Sequence, residues 1–287
     1  MKLIAPALIA LLASSSPAWA EPLLGPDLTT FGILGASTVT NVPGSAIDGN
    51  VGVWSPGGAN AITGFASSPG VAVSDPQLST GLVHAGTATA GAAQAQLAIA
   101  RLNLDSLGPG TTLVSPDLSG LTLAPGVYTV HAGTTNLSGM SGALTLDGLG
   151  NANAVWVFQM DDTLITSPYS VVNLINAGPG AGLFWNVRSS ATVGAGTDFQ
   201  GNILALASIS LNSGASIGCG SALAGTGAVT AIQNSIGIGC SGGLDVPTGG
   251  GIPAFLPFAS VVPEPSSYAM LLAGLGILVM RRRAKAA

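Results

Sequence analysis

Charge is what this 287-residue chain has least of: Asp, Glu, Lys and Arg make up 7% of it. Between residues 21 and 260 the only cations are Arg101 and Arg188, against one Glu and ten Asp. So little positive charge cannot neutralise a phosphate backbone, which excludes nucleic acid as a partner. Histidine is nearly missing as well. His84 and His131 stand far apart, with no Cys, Glu or second His at ligand spacing, so no metal is expected. No Gly-x-Ser-x-Gly elbow has a His/Asp set behind it. Asp161-Asp162 is the only adjacent acid pair, and on a strand its side chains would point to opposite faces. It reads as a solvated turn, not as a catalytic or calcium-binding pair. With these groups absent, neither an enzyme nor a cofactor is expected. Disorder is not expected either, because it goes with low hydrophobicity and high net charge, and the chain is 47% hydrophobic at a formal charge of −5.

What is present at the two ends reads as an address. Met1-Lys2, an apolar stretch Leu3 to Leu12 and Ala18-Trp19-Ala20 before Glu21 form a secretory signal peptide over residues 1–20. At the other end, Val262-Pro263-Glu264-Pro265 precedes an apolar run from Tyr268 to Met280, then Arg281-Arg282-Arg283. As a helix that run spans roughly 20 Å, short of the roughly 30 Å hydrocarbon core. The arginines hold it on the cytoplasmic side. The arrangement over 262–287 resembles the PEP-CTERM sorting signal, with Pro263, Glu264, Pro265, Arg281, Arg282 and Arg283 as its motif. That resemblance implies recognition and removal by an exosortase after transient anchoring in the inner membrane of a Gram-negative bacterium. A permanent single-span tail anchor is the alternative. Residues 241–261, rich in Gly and Pro, form a linker, leaving 21–240 as one large domain.

Within that domain the pattern is mostly short strands between Gly, Pro, Asn and Ser, as at Ala143–Leu146, Ala154–Gln159, Leu183–Val187 and Ser208–Leu211. A shift of 19 residues lays Gly194-Ala195-Gly196-Thr197 on Ser213-Gly214-Ala215-Ser216, and Ile203-Leu204-Ala205 on Ala222-Leu223-Ala224. Such a period suits stacked solenoid coils. A β-sandwich would give similar strands without the offset. One segment, 83–107, is helical instead: it lacks Pro and carries Ala90, Ala93, Leu97, Ala100, Leu104 and Leu107 at steps of three and four. Gln94, Gln96, Arg101 and Asn103 form its opposite, polar face, and Gly108-Pro109-Gly110 stops it. The two cysteines, Cys219 and Cys240, allow one disulfide, worth on the order of 3 kcal/mol by loop entropy; two buried free thiols are the alternative.

These pieces resemble the bacterial and fungal ice-binding family over about residues 30–240. The resemblance rests on Phe31-Gly-Ile-Leu-Gly-Ala-Ser-Thr-Val-Thr-Asn41, Ile47-Asp-Gly-Asn-Val-Gly-Val53 and Ala61-Ile-Thr-Gly-Phe65. It continues after the helix with Leu121-Thr-Leu-Ala-Pro-Gly-Val-Tyr128, Asn153-Ala-Val-Trp-Val-Phe-Gln159, Phe184-Trp-Asn-Val-Arg-Ser-Ser-Ala-Thr192 and Gly201-Asn-Ile-Leu-Ala-Leu-Ala-Ser-Ile-Ser-Leu211. It implies a mainly β chain, an irregular right-handed β-solenoid (β-helix) with one long α-helix alongside, here with a signal peptide and a C-terminal hydrophobic helix added. It also implies an ice-facing surface of short Thr-rich motifs, Thr-(Ala/Gly)-x-(Thr/Asn), one per coil. The candidates for that surface are Ser138, Ser141, Ser167, Ser170, Thr197, Ser213 and Ser216. Thr197 alone is a threonine, and Met140 or Tyr169 would break a plane if it pointed outward. Ordinary tight coil corners explain the same Ser/Gly pattern. The expected function is therefore an exported, non-enzymatic protein that adsorbs to ice or ordered water. The alternative is an envelope or matrix protein that meets extracellular polysaccharide on the same scaffold without ice affinity.

Overall fold

The computed structural model describes residues 23–56, 58–131, 135–138 and 142–242. The expected signal peptide, most of the linker and the sorting tail with its hydrophobic helix lie outside the described residues, as does Ser141.

Short strands wind into stacked coils with three faces. The first face is a ten-stranded sheet, the second a seven-stranded one. The third is a four-stranded and a three-stranded sheet joined by a bridge between Val171 and Asp198. Named ladders are parallel throughout, except where Ala72–Val73 runs antiparallel to Val83–Ala85. Inside the coils, alternate residues from all faces meet in one core. Tyr128, Phe158, Trp185 and Phe199 stack down its middle, Phe158 and Trp185 with centroids 4.2 Å apart and nearly parallel planes. Trp185 also donates its indole N–H to the Gln200 carbonyl at 2.8 Å, so the buried ring leaves no orphan donor.

The order of coils in space is not their order in sequence. The ten-stranded face runs Ala72–Val73, Val83–Ala85, Asn50–Val53, Phe31–Gly35, Ala222–Ala224, Asn202–Ala205, Gly182–Val187, Val155–Met160, Gly126–Val130, Thr111–Leu113. The described residues therefore begin in mid-stack, climb to one end, and return to the other end through the helix Ala88–Ser106. The chain then winds back until its last coil lies against its first, with Leu34 beside Leu223, Thr40 beside Thr230 and Ile47 beside Ile236. A helix rising about 1.5 Å per residue makes that return in a single element.

The ten-stranded face is buried on both sides, as parallel sheets usually are. Its outward Phe31, Leu34, Val157, Phe184, Leu204 and Leu223 form a second core with the helix stripe Ala90, Ala93, Leu97, Ala100 and Leu104. The helix starts later than its composition suggests. Val83–Ala85 is taken as a strand because it completes a ladder with Val51–Val53, and Thr87 then caps the helix by accepting from the Ala90 N–H. The polar side chains expected on its far face also turn inward. Gln96 is 9% and Asn103 2% exposed. Gln96 accepts from the Asp27 and Leu28 amides, and Gln94 donates to the Ala224 carbonyl at 2.9 Å. The outer side carries small residues such as Ala95 and Ala98, so this helix is held by polar clasps as well as by an apolar stripe.

The 19-residue offset holds for Ile203–Ala205 on Ala222–Ala224. Around Thr197 the register is one residue shorter, with Thr192 opposite Ser210 and Asp198 opposite Ser216. Cys219 and Cys240 are joined in a disulfide with Cα atoms 5.4 Å apart. The strip after the last strand then runs back over earlier coils, Leu183 donating to the Cys240 carbonyl and Gly242 to the Ala181 carbonyl.

Candidate functional site

The surface with the most regular chemistry is the seven-stranded face. Its strands lie in the order Thr135–Leu137, Leu164–Thr166, Ala191–Val193, Ile209–Leu211, Val229–Ile232, Thr38–Val42, Ala61–Thr63. Successive residues alternate across a strand, so Ala191, Val193, Ile209, Leu211, Val229 and Val39 enter the core. Between them an outward row is fixed by the register: Asn136, Ile165, Thr192, Ser210, Thr230, Thr40, Thr63. A second row lies two residues earlier on each strand: Ser190, Ser208, Ala228, Thr38, Ala61, where Thr38 pairs with Ala61 and the others follow the same ladders. The local motif is a small or hydroxyl residue, one inward apolar residue, then a hydroxyl residue. Strand geometry places such rows about 4.8 Å apart from coil to coil and roughly 6.6 Å apart along a strand.

The two rows differ in how free their hydroxyls are. Ser190 Oγ accepts from the Ser208 amide at 3.3 Å and Ser208 Oγ from the Ala228 amide at 3.2 Å, so these oxygens stay pinned. In the other row, Thr40, Thr63, Thr192, Ser210 and Thr230 make no side-chain hydrogen bond among the described residues. Their oxygens and methyls face solvent, and no charged side chain stands in either row. The third face is different, since it carries Asp147 and Asp198. Asp147 accepts from the Leu149 amide and from Asn176, which lowers its pKa.

The described serines and threonine expected to contact ice do not share a plane. Thr197 and Ser170 are each 1% exposed. Thr197 Oγ1 donates to the Ser167 carbonyl at 3.1 Å and Ser170 Oγ to the Leu137 carbonyl at 2.7 Å. Ser138 is half-buried, its hydroxyl donating to Asp117 at 2.5 Å. Ser216 sits on the third face and donates to Asp198 at 3.0 Å. Ser167 and Ser213 lie in the corner turns between the second and third faces. The physical reason is that a corner exposes backbone groups needing local partners, and short hydroxyl side chains supply them. Tyr169 does point outward, 79% exposed, at that corner and off the seven-stranded rows.

The structure also brings together polar groups that the sequence kept apart. His131 Nδ1 lies 2.7 Å from Asp161, Arg188 donates to Asp161 at 3.1 Å, and Asp105 lies 3.5 Å from the same guanidinium. All four are exposed, so this is an ion-pair cluster on the surface. Among the described residues no three His, Cys, Asp or Glu side chains are grouped to hold a metal. Gly214-Ala215-Ser216-Ile217-Gly218 has the letters of a nucleophile elbow, yet Ser216 stands on a strand beside Asp198, not on a strand-to-helix turn.

A stacked parallel coil with one charge-free hydroxyl face and a flanking helix defines a class, and the chain belongs to the Ice-binding-like family, matched over residues 33–237. Residues 261–284 match the PEP-CTERM protein-sorting motif. An ice-binding protein of Nostoc sp. (strain HG1) is 40% identical over 256 residues, covering 89% of this chain and 84% of that one. Ice-binding protein 1 of Shewanella frigidimarina is 30% identical over 75% of this chain, which corresponds to 26% of that longer protein. Among solved structures, an ice-binding protein from an Antarctic biological consortium superposes with TM-score 0.62 at 31% identity, covering 80% of this chain and 96% of its own.

Proposed function

We propose that this protein adsorbs to ice through the seven-stranded face, by the free row Thr192, Ser210, Thr230, Thr40 and Thr63 and the Ser190–Thr38 row beside it. The observation that carries the reading is the pairing of these residues in register on parallel strands, with the hydroxyls of the Thr192–Thr63 row uncommitted to the protein. Backbone ladders hold each coil at a fixed spacing, so the side chains impose a repeat on the water above them. Threonine suits the task because its methyl shapes the hydration layer while its hydroxyl anchors it. β-Branched side chains are also stiff at χ1, so little rotamer entropy is lost on adsorption. Charged groups would hold strongly oriented water of their own, and this face has none.

In this reading the protein is exported and non-enzymatic, and an exosortase sorts it to the envelope through the PEP-CTERM segment. A matrix protein on the same scaffold is the second reading. It is favoured by Ile165 and Asn136, which interrupt the hydroxyl row at one end, and by Ala228 and Ala61 in the other row.

Thermal hysteresis and recrystallisation inhibition test the proposal on residues 21–242 and on two variants. Thr40→Tyr with Thr230→Tyr places bulky rings on neighbouring strands at the seam and is expected to abolish both activities. Thr145→Tyr, on the third face, is expected to leave them intact. An inactive parent protein leaves the matrix reading; equal loss in both variants moves the contact away from the seven-stranded face.

A further inference from the structure

The two cations among the described residues, Arg101 and Arg188, line one groove. It runs between the helix and the corner joining the first and second faces, with a volume of about 650 Å³. Leu97, Leu102, Leu206 and Thr226 form its walls. A further furrow of about 450 Å³ continues from it past Gln94 and Gly225 to Trp54. Leu102 and Leu206 are large apolar side chains left 56% and 43% exposed on its sides. That is the composition of a small-molecule site: apolar walls, with few polar groups at one end.

The polar end is unbalanced in one respect. Arg188 is shared between Asp161 and Asp105, and Asp105 also accepts from Asn186 at 2.8 Å. Arg101 has far less. Its Nη2 reaches the Val187 carbonyl at only 3.4 Å, and its buried Nε has no partner. Arg101 lines the groove with only that long hydrogen bond from its terminal nitrogens, and a carboxylate meets a guanidinium with two parallel bonds. We propose that this groove binds an amphiphile with an alkyl chain and a carboxylate head, the chain lying between Leu102 and Leu206 and the head on Arg101. The site is separate from the hydroxyl rows and does not depend on the ice reading.

The test is titration calorimetry of the full chain with decanoate, decanol and decylammonium, each also run against variants in the same chain. Decanoate is expected to bind at least about tenfold more tightly than decylammonium, one energy step of ~1.4 kcal/mol. Arg101→Met is expected to weaken decanoate by about tenfold or more and to remove its advantage over decanol. Leu206→Glu, at an exposed position that leaves the core alone, is expected to do the same by repulsion. It keeps the test decisive should Arg101→Met fold poorly. Vesicles of phosphatidylglycerol distinguish the source of the anion: binding to them that Leu206→Glu leaves unchanged belongs to another surface. Decanoate and decylammonium binding alike, no decanoate binding, or full decanoate affinity in either variant overturns the proposal.

Discussion

Opening the Cys219–Cys240 bridge tests whether the last coil is stapled to the stack or would stay there unaided. The two cysteines are 21 residues apart in sequence. Loop entropy for that closure gives about 3 kcal/mol of destabilisation when the bond is removed. For a domain of this size, each kcal/mol shifts Tm by roughly 2–4 °C, so reduction should lower it by roughly 6–12 °C. A local effect adds to the entropic one. The strip 239–242 is held by Asn202, whose Nδ2 donates to the Cys240 carbonyl at 2.9 Å and the Gly239 carbonyl at 3.3 Å, and by the Leu183 amide at 2.9 Å. Asn202 is 1% exposed, so a detached strip would leave it short of acceptors. The assay is calorimetry of oxidised protein against protein reduced and alkylated at both thiols, with hydrogen exchange followed at the Leu183 amide. Alkylating the unreduced protein should give no mass increase. Equal Tm values in fully alkylated and oxidised protein, with Leu183 equally protected, would refute the reasoning.

Two further outcomes follow from the core and from titration. Trp185→Ala removes a ring stacked at 4.2 Å on Phe158 and 5.0 Å from Phe199, and orphans the Gln200 carbonyl; a loss of about 3–5 kcal/mol is expected in denaturant unfolding. Acid should destabilise the domain in two stages. Burial lowers the His84 pKa below 6.5, so its contribution is present above that value and fades as pH falls below it. Partial burial alone would raise Asp117, but hydrogen bonds from Ser138 and Ser119 outweigh it and hold the carboxyl at about 2, against 3.8 normally. Its contribution is present above 3.8 and lost as pH falls toward 2; discounted for solvent screening it is about 1 kcal/mol. Asp117→Asn should abolish the second stage in a pH series of thermal midpoints, and an unchanged series would contradict the assignment.

Local order was legible in the sequence where local physics decides it. The strands bounded by turn formers, the Ala-Leu stripe of the helix and the cysteine pair all stand where periodicity and spacing put them. The described residues of the expected ice-facing set fall at corners and inside the coils because a motif with hydroxyls three residues apart describes a corner. Groups on one side of a strand stand two apart. Thr38-Val39-Thr40 and Ser208-Ile209-Ser210 carry that spacing in plain view. Nothing local shows that Thr40 adjoins Thr230, since their pairing depends on the chain returning to its starting coil. Arg188 beside Asp161 and Asp105 is hidden for the same reason: the three come from separate coils and the helix end.

That return also bears on how the proposed contact surface forms. Its unbroken run of threonines, Thr230, Thr40 and Thr63, straddles the seam where the last coil meets the first. Each half of the face can be built by neighbouring coils, but the seam needs contacts between the two ends of the domain, which carry the largest loop-closure cost. Stability near the seam therefore decides whether the row is continuous, not merely whether the protein is folded. The Cys219–Cys240 bridge lies in this final coil, and Asn234, donating to Asn212 and Ala215 and accepting from none of the hydroxyls in the outer row, braces it from the corner. A protein loosened there would keep most of its coils and its helix while presenting two short half-rows. Adsorption to an extended lattice depends on many weak contacts made together, so breaking the row in the middle costs more than trimming it at an end.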